Sequence, residues 1–225
     1  MTQSADALSV YALNINGPFE LLSNIKMPGR GTITIQTGEK NEDDVFLFEY
    51  SSYTSPVSFY SLNLHSYYLE QFWFNKQLLE KSGYKEDLLT SDYTQYKSKD
   101  GTIVPMTIIR KKSVLPTLDT VPDKPILTHL YGYGGFGTNN KPEFDMNDIV
   151  FYNNLEGIKV IAHIRGGGEL GNLWHQAGKQ EKRQNVFDDF IAASEHLIQR
   201  KYTDPKHLVI SGGSNGGTLV SVVAN

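Results

Sequence analysis

The sequence predicts an α/β fold preceded by an antiparallel β segment, divided between residues 1–84 and 85–225. Three observations carry that prediction. From Leu8 to Trp73 the chain reads as short β-type runs separated by turn residues, with no helical periodicity between them. From Ile126 to Ile210 strand-type runs alternate with a crossover and a helix, the order expected of a parallel sheet covered by helices. Between Leu208 and Val220 the stretch LVISGGSNGGTLV joins an apolar β-type run to a helix-compatible run through Gly212-x-Ser214-x-Gly216.

In the first segment the expected strands are Leu8 to Leu13, Thr32 to Gln36, Val45 to Tyr50, Ser58 to Leu64 and Tyr67 to Trp73. Asn16-Gly17-Pro18, Gly38-Glu39 and Ser55-Pro56 supply turns between them. Consecutive strands without crossover helices form meanders, which fit a propeller blade or one sheet of a sandwich. Around Lys81 to Asp92 the composition turns charged and polar, and this is the expected boundary. Tyr93 to Tyr96 and Ile103 to Ile109 then flank Ser98-Lys99-Asp100-Gly101, whose Asp-Gly pair marks a tight hairpin. A loop with Pro116 and Pro122 leads to strands at Ile126 to Tyr131 and Lys159 to His163, a helix at Asn185 to Lys201 and a strand at Leu208 to Ile210. In that helix Val186, Phe190, Ala193 and Leu197 make one apolar face, and the dipole accounts for Asp188 and Asp189 in its first turn.

Composition excludes several functions. With 21 Lys and Arg against 25 Asp and Glu, the net charge is -4 and no basic block offers a nucleic-acid footprint. The absence of cysteine rules out disulfides and thiolate metal sites and fits a reducing compartment. His163 and His175 do not share a helix face, so no metal site is expected, and each of the six histidines reads as structural. No apolar run approaches the length of a membrane helix, and the first residues do not resemble a secretory leader. A soluble, cytoplasmic protein without cofactor is expected.

Two glycine-rich loops need weighing. Gly132, Gly134 and Gly137 fit the dinucleotide fingerprint, but Thr138-Asn139-Asn140-Lys141-Pro142 gives no helix to hold a pyrophosphate. Tyr131-Gly132-Tyr133-Gly134-Gly135-Phe136 suits better the loop where acyl-transfer enzymes keep a second oxyanion donor. The triple glycine after His163-Ile164-Arg165 reads as backbone passing close to its neighbours.

The Ser214 stretch is a nucleophile-elbow signature, in which small residues two before and two after the serine let strand and helix approach. The hydroxyl is lifted clear of the sheet, and the Asn215 backbone N–H at the helix start can stabilise an oxyanion. A serine nucleophile also needs a base and an orienting carboxylate, which in α/β-hydrolases follow it in the chain. None of Asn215 to Asn225 is acidic or a histidine, so the catalytic apparatus is expected to be incomplete within these residues.

Tyr131 to Phe136, Ala162 to Glu169, Trp174-His175, Asn185 with Phe187-Asp188-Asp189-Phe190, and Gly212 to Gly217 together closely resemble the prolyl oligopeptidase family of serine peptidases. The resemblance runs through nearly all of Tyr93 to Asn225. It implies that residues 85–225 are the first part of an α/β-hydrolase peptidase domain, through the elbow, and that residues 1–84 are the last blades of a β-propeller. It further implies that Ser214 is the nucleophile and that the Tyr133 hydroxyl and Asn215 N–H form the oxyanion hole. Phe136 and Asn215 would contact substrate, with Phe136 lining the pocket for the proline before the cleaved bond. Short proline-containing peptides are the implied substrates. Oligopeptidase B shares the Arg-Gly-Gly-Gly-Glu-Leu-Gly stretch, but Asn215, Tyr133-Gly134-Gly135-Phe136 and Trp174-His175 favour the prolyl type. A non-catalytic binding or regulatory piece of the same scaffold is the alternative.

Overall fold

The computed structural model describes residues 5–12, 17–35, 44–74, 81, 83–85 and 88–225. They fall into two compact units, one of residues 2–82 with 141–146 and the other of residues 83–140 with 147–225.

The first unit is a five-stranded antiparallel meander, β1 (Ala5–Ala12), β2 (Glu20–Ile35), β3 (Val45–Ser51), β4 (Ser58–Asn63) and β5 (Leu69–Phe74), in sequential order. β2 is longer than the Thr32 to Gln36 strand expected. It pairs with β1 up to Gly31 and with β3 from Thr32, so one strand serves two partners in succession. Its register against β1 jumps from Lys26 to Gly31, and Pro28 sits in that irregularity, which is where a strand tolerates proline. Gly31 is required there because a Cβ would lie 2.2 Å from the Tyr50 ring. Ile25, Met27, Phe48, Tyr50, Tyr60 and Leu62 form the core, with Phe48 stacked on Tyr60. Leu13, Asn16, Gln36 and the Gly38-Glu39 turn lie outside the described residues.

The second unit holds a mixed five-stranded sheet. β6 (Leu89–Lys97) and β7 (Ile103–Lys111) form the hairpin expected at Asp100-Gly101, where Gly101 has φ 87. β6 starts earlier than the sequence suggests, because Asp92 belongs to the strand and pairs with Arg110 at 2.8 Å. β9 (Ile158–Ala162) runs antiparallel to β7 and parallel to β8 (Thr128–Tyr131), and β10 (Leu208–Ser211) runs parallel to β8. The expected parallel sheet is therefore only its β9-β8-β10 part; the β6-β7 hairpin brings an antiparallel edge.

Among the described residues, four α-helices and a 3-10 turn at Gln180–Lys182 complete this unit: α1 (Met146–Asn154), α2 (Asn172–Gln176), α3 (Gln184–Gln199) and α4 (Asn215–Val223). α1 and α2 carry too weak an apolar stripe to be read from sequence. α3 presents the expected face, and Val186, Phe190, Ala193 and Leu197 are fully buried against Leu130, Val160, Met106 and Ile108. Burying four such side chains contributes on the order of 6 kcal/mol before conformational entropy is charged. Arg200 and Lys201 lie past the last turn of α3.

α3 begins at Gln184 with no acidic residue in its first turn, so the dipole reading fails for Asp188 and Asp189 alike, and Asp189 has another role. It is completely buried and accepts hydrogen bonds from the Arg165 backbone N–H at 3.0 Å, from Arg165 Nη2 at 2.6 Å and from Ser98 Oγ at 2.6 Å. Arg165 also reaches Asp100 at 2.6 Å. Burial works against the guanidinium charge, and the bonds to Asp189 and Asp100 outweigh it and push the Arg165 pKa up. This buried pair fastens the start of the triple-glycine loop to α3.

Candidate active site

β10 ends at Ser211, and only Gly212, Gly213 and Ser214 separate it from the first residue of α4. Ser214 has φ 50 and ψ -112, a strained conformation for a residue with a side chain, and it is solvent-exposed. The turn is closed by bonds from the Gly216 N–H to the Gly213 carbonyl at 2.7 Å and from the Gly217 N–H to the Ser214 carbonyl at 2.9 Å. The two flanking glycines are needed for contact. A Cβ on Gly212 would stand 2.7 Å, and one on Gly216 2.6 Å, from the same Gly132 carbonyl oxygen. Gly132 is held in turn by its N–H to the Ser211 carbonyl at 3.2 Å.

The Tyr133 loop therefore lies directly on the elbow. Asn215 Nδ2 donates to the Tyr133 carbonyl at 2.6 Å, and Gly135 must be glycine because a Cβ would meet that amide at 2.4 Å. Arg183, at the start of α3, donates to the Gly134 carbonyl at 3.0 Å and to Asn215 Oδ1 at 2.8 Å. Tyr133 is half-buried, whereas Phe136, with φ 56, is 79% exposed. The triple-glycine loop supports this arrangement from beneath. Gly137 N–H donates to the Gly166 carbonyl at 3.0 Å, and a Cβ on Gly166 would come within 2.5 Å of the Gly134 carbonyl. Close backbone approach, the reading expected of those glycines, is what they provide.

The first N–H groups of α4 have no intrahelical acceptor, so Asn215 presents an unsatisfied donor beside the Ser214 hydroxyl at the positive end of the helix. Tyr133 and Asn215, 82 positions apart, are thus joined through the Tyr133 backbone carbonyl, beside the residue that follows Ser214. Among the described residues no side chain hydrogen-bonds the Ser214 hydroxyl. The histidine that does meet a serine is His129, whose Nε2 lies 2.5 Å from Ser211 Oγ on the α1 side of the sheet. Burial, with Lys159 adding to it, holds the His129 pKa down.

The other histidines are mostly structural, as expected. His175 Nδ1 donates to the Gly166 carbonyl at 2.9 Å. His163 is buried with Nε2 on Thr107 Oγ1 at 2.9 Å, but its Nδ1 has no hydrogen-bond partner and stands 3.6 Å from Glu169. It is thus less completely satisfied than the sequence suggests. No group of three or more histidine or acidic side chains suited to a metal occurs among the described residues, and no helix there is long and apolar enough to cross a membrane.

Sequence reasoning overlooked Arg183 and the Arg165–Asp189 pair. For Arg183 a signal existed. Lys179, Lys182 and Arg183 precede α3, where the helix dipole disfavours positive charge, so a cation there calls for a partner. For Asp189 none existed, because a helix start read at Asn185 made it look like an ordinary first-turn acid, whereas the helix starts at Gln184.

Comparison with known proteins agrees with this geometry. A sequence model of the prolyl oligopeptidase family matches residues 142–225. A prolyl endopeptidase of Dictyostelium discoideum is 38% identical over 225 residues, covering 98% of this chain and 27% of that protein. A solved prolyl endopeptidase structure superposes with a TM-score of 0.78 at 33% identity, over 97% of this chain and 30% of that one. Prolyl oligopeptidase B from Galerina marginata, bound to a 35mer hydrolysis and macrocyclization substrate, gives a TM-score of 0.78 at 31% identity over 91% of this chain and 27% of its own. The chain thus spans less than a third of the relatives it matches. The elbow, the loop laid upon it and these similarities agree that the fold is an α/β-hydrolase part preceded by a propeller-like β segment, and the chain belongs to the prolyl oligopeptidase family of serine peptidases.

Proposed function

We propose that this chain carries the nucleophile and oxyanion site of a cytoplasmic endopeptidase that cleaves short peptides after proline. Ser214 Oγ attacks the carbonyl carbon, a C–O bond forms, and the carbonyl oxygen takes the negative charge. The Asn215 N–H and the Tyr133 hydroxyl stabilise that charge, which exists only as the transition state is approached, so they act on the rate more than on binding. The C–N bond then breaks, the amine leaves with a proton, and an acyl-enzyme remains on Ser214 for water to hydrolyse. Phe136 packs on the proline ring. Residues 1–84 are read as propeller blades and residues 85–225 as peptidase domain. One observation carries this reading above all: the strained Ser214 conformation at the β10–α4 junction, with Gly212 and Gly216 pressed on the Gly132 carbonyl.

The Ser214 proton needs a base, and residues 215–225 contain no histidine or acid. We therefore expect no turnover from these 225 residues alone. A non-catalytic binding or regulatory piece of the same scaffold is the second reading. Translating the transcript beyond Asn225 separates the two: an Asp and then a His in frame support the peptidase. In the chain so extended, Ser214→Ala should abolish fluorophosphonate labelling and cleavage of a proline-linked fluorogenic peptide. Labelling of that variant at the unmodified rate would remove Ser214 from its role.

A further inference from the structure

The covalent chain does nothing to keep Tyr133 beside Ser214, since they enter the site on different elements. Arg183 joins them, together with the Asn215 amide and the Gly132–Ser211 backbone bond. Its guanidinium donates from one nitrogen to the Gly134 carbonyl at 3.0 Å and from another to Asn215 Oδ1 at 2.8 Å. The same Asn215 amide donates to the Tyr133 carbonyl at 2.6 Å. A ring of polar contacts thus links two successive carbonyls of the loop with the residue after the nucleophile. The Phe187 ring, 5.6 Å below the guanidinium, orients the fork.

We propose that Arg183 is a positioning residue of the oxyanion site, holding the Tyr133 hydroxyl and the Asn215 N–H in register through its bridge between Gly134 and Asn215. The proposal rests on the assignment of Ser214, Tyr133 and Asn215 made above. Arg183 need not touch substrate. A planar fork fixes two acceptors at once, whereas a lysine ammonium carries the charge without the geometry. Misplacing an oxyanion donor by about 1 Å costs on the order of 100-fold in rate.

The test avoids the need for a base by placing S214C in the 225-residue chain, where a thiolate forms near pH ~8.5 without help. The thiolate attacks a p-nitrophenyl ester of an N-acyl proline; a C–S bond forms through an oxyanion, the bond between the acyl carbon and the aryloxy oxygen breaks, and p-nitrophenolate leaves with the electron pair. Its appearance in a single turnover is the readout. Alkylation of the same thiol by iodoacetamide, which expels iodide and forms no oxyanion, is the control. Thermal melting of every variant checks folding.

R183M and R183K should each slow acylation about 10- to 100-fold and leave alkylation unchanged. Combined with Tyr133→Phe, R183M should cost less than the two single losses summed, because its effect through Tyr133 is already gone. Four results overturn the Arg183 role: acylation unaffected by R183M, full rescue by R183K, additivity with Tyr133→Phe, or equal loss of acylation and alkylation. The underlying site assignment fails separately, if S214C acylates no faster than the urea-unfolded chain and Tyr133→Phe has no effect.

Discussion

Replacing Asp189 by Asn should destabilise the second unit by about 3–5 kcal/mol, the usual cost of removing one partner of a buried ion pair. Asp189 is wholly enclosed and accepts from Arg165 Nε at 2.9 Å and Nη2 at 2.6 Å, from the Arg165 backbone N–H at 3.0 Å and from Ser98 Oγ at 2.6 Å. An amide is nearly the same shape, but its NH2 would face donors, and Asp100, 46% exposed, would be the only carboxylate partner left to Arg165. At about 2–4 °C per kcal/mol, the melting temperature should fall by roughly 6 to 20 °C. Urea unfolding followed through Trp174 fluorescence in a Trp73→Phe background reports on the relevant unit. The double replacement R165M with D189L should recover much of the loss, since an apolar pair leaves no buried charge. A loss below about 1 kcal/mol for D189N, or no recovery in the double variant, would refute the claim that this pair anchors the triple-glycine loop.

Tyr133→Phe, in a chain extended to an active form, should lower kcat by roughly 10- to 1000-fold with a smaller change in KM; an unchanged kcat would move the donor to a backbone N–H. Gly212→Ala puts a Cβ 2.5 Å from the Gly216 carbonyl and should cost about 1–3 kcal/mol in urea titration. Gly213→Ala, with nothing within 4 Å of its Cβ, should be nearly neutral, and equal effects would contradict the elbow packing. Hydrogen bonding to Arg165 lowers the Asp100 pKa from 3.8 to about 2. Because the folded value is the lower one, this group stabilises above pH 4 and loses that contribution as pH falls towards 2. The stability difference between the native chain and Asp100→Asn should therefore shrink across that window; a difference that stays constant to pH 2 would refute the linkage. β10 lies at the sheet edge with Val209 51% exposed, so Val209→Lys should raise the soluble fraction of the 225-residue chain, and no change would show that edge pairing does not drive its association.

What could be read in advance was whatever local chemistry decides. The elbow needs small residues at fixed offsets, and the α3 face needs apolar residues at helical spacing, so Gly212, Gly216, Val186 and Phe190 declared themselves. The Asp-Gly hairpin did the same. Features set by distant partners stayed hidden. Lys26 to Gly31 looks unlike a strand because Pro28, Gly29 and Gly31 disfavour one, yet β1 and the Tyr50 ring hold it extended. A helix start read at Asn185 gave Asp189 a dipole role, but the helix begins at Gln184, Asp189 lies past its first turn, and its task comes from Arg165, which arrives from another strand end. α1 has Ile149 and Tyr152 buried, with Val150 exposed between them, too sparse a stripe to stand out in sequence.

The backbone at position 214 has a bearing on how such a chain evolves. A side chain held at φ 50 and ψ -112 costs of order 1–3 kcal/mol, which a glycine would largely escape. The folded chain therefore gains nothing from keeping a serine there, and drift alone would favour its loss. Only a demand for the hydroxyl opposes that drift. In descendants relieved of the chemistry, glycine should accumulate at this position before the apolar face of α3 changes at all, so the residue found at 214 across a set of homologues records how long each lineage has remained under selection for its nucleophile.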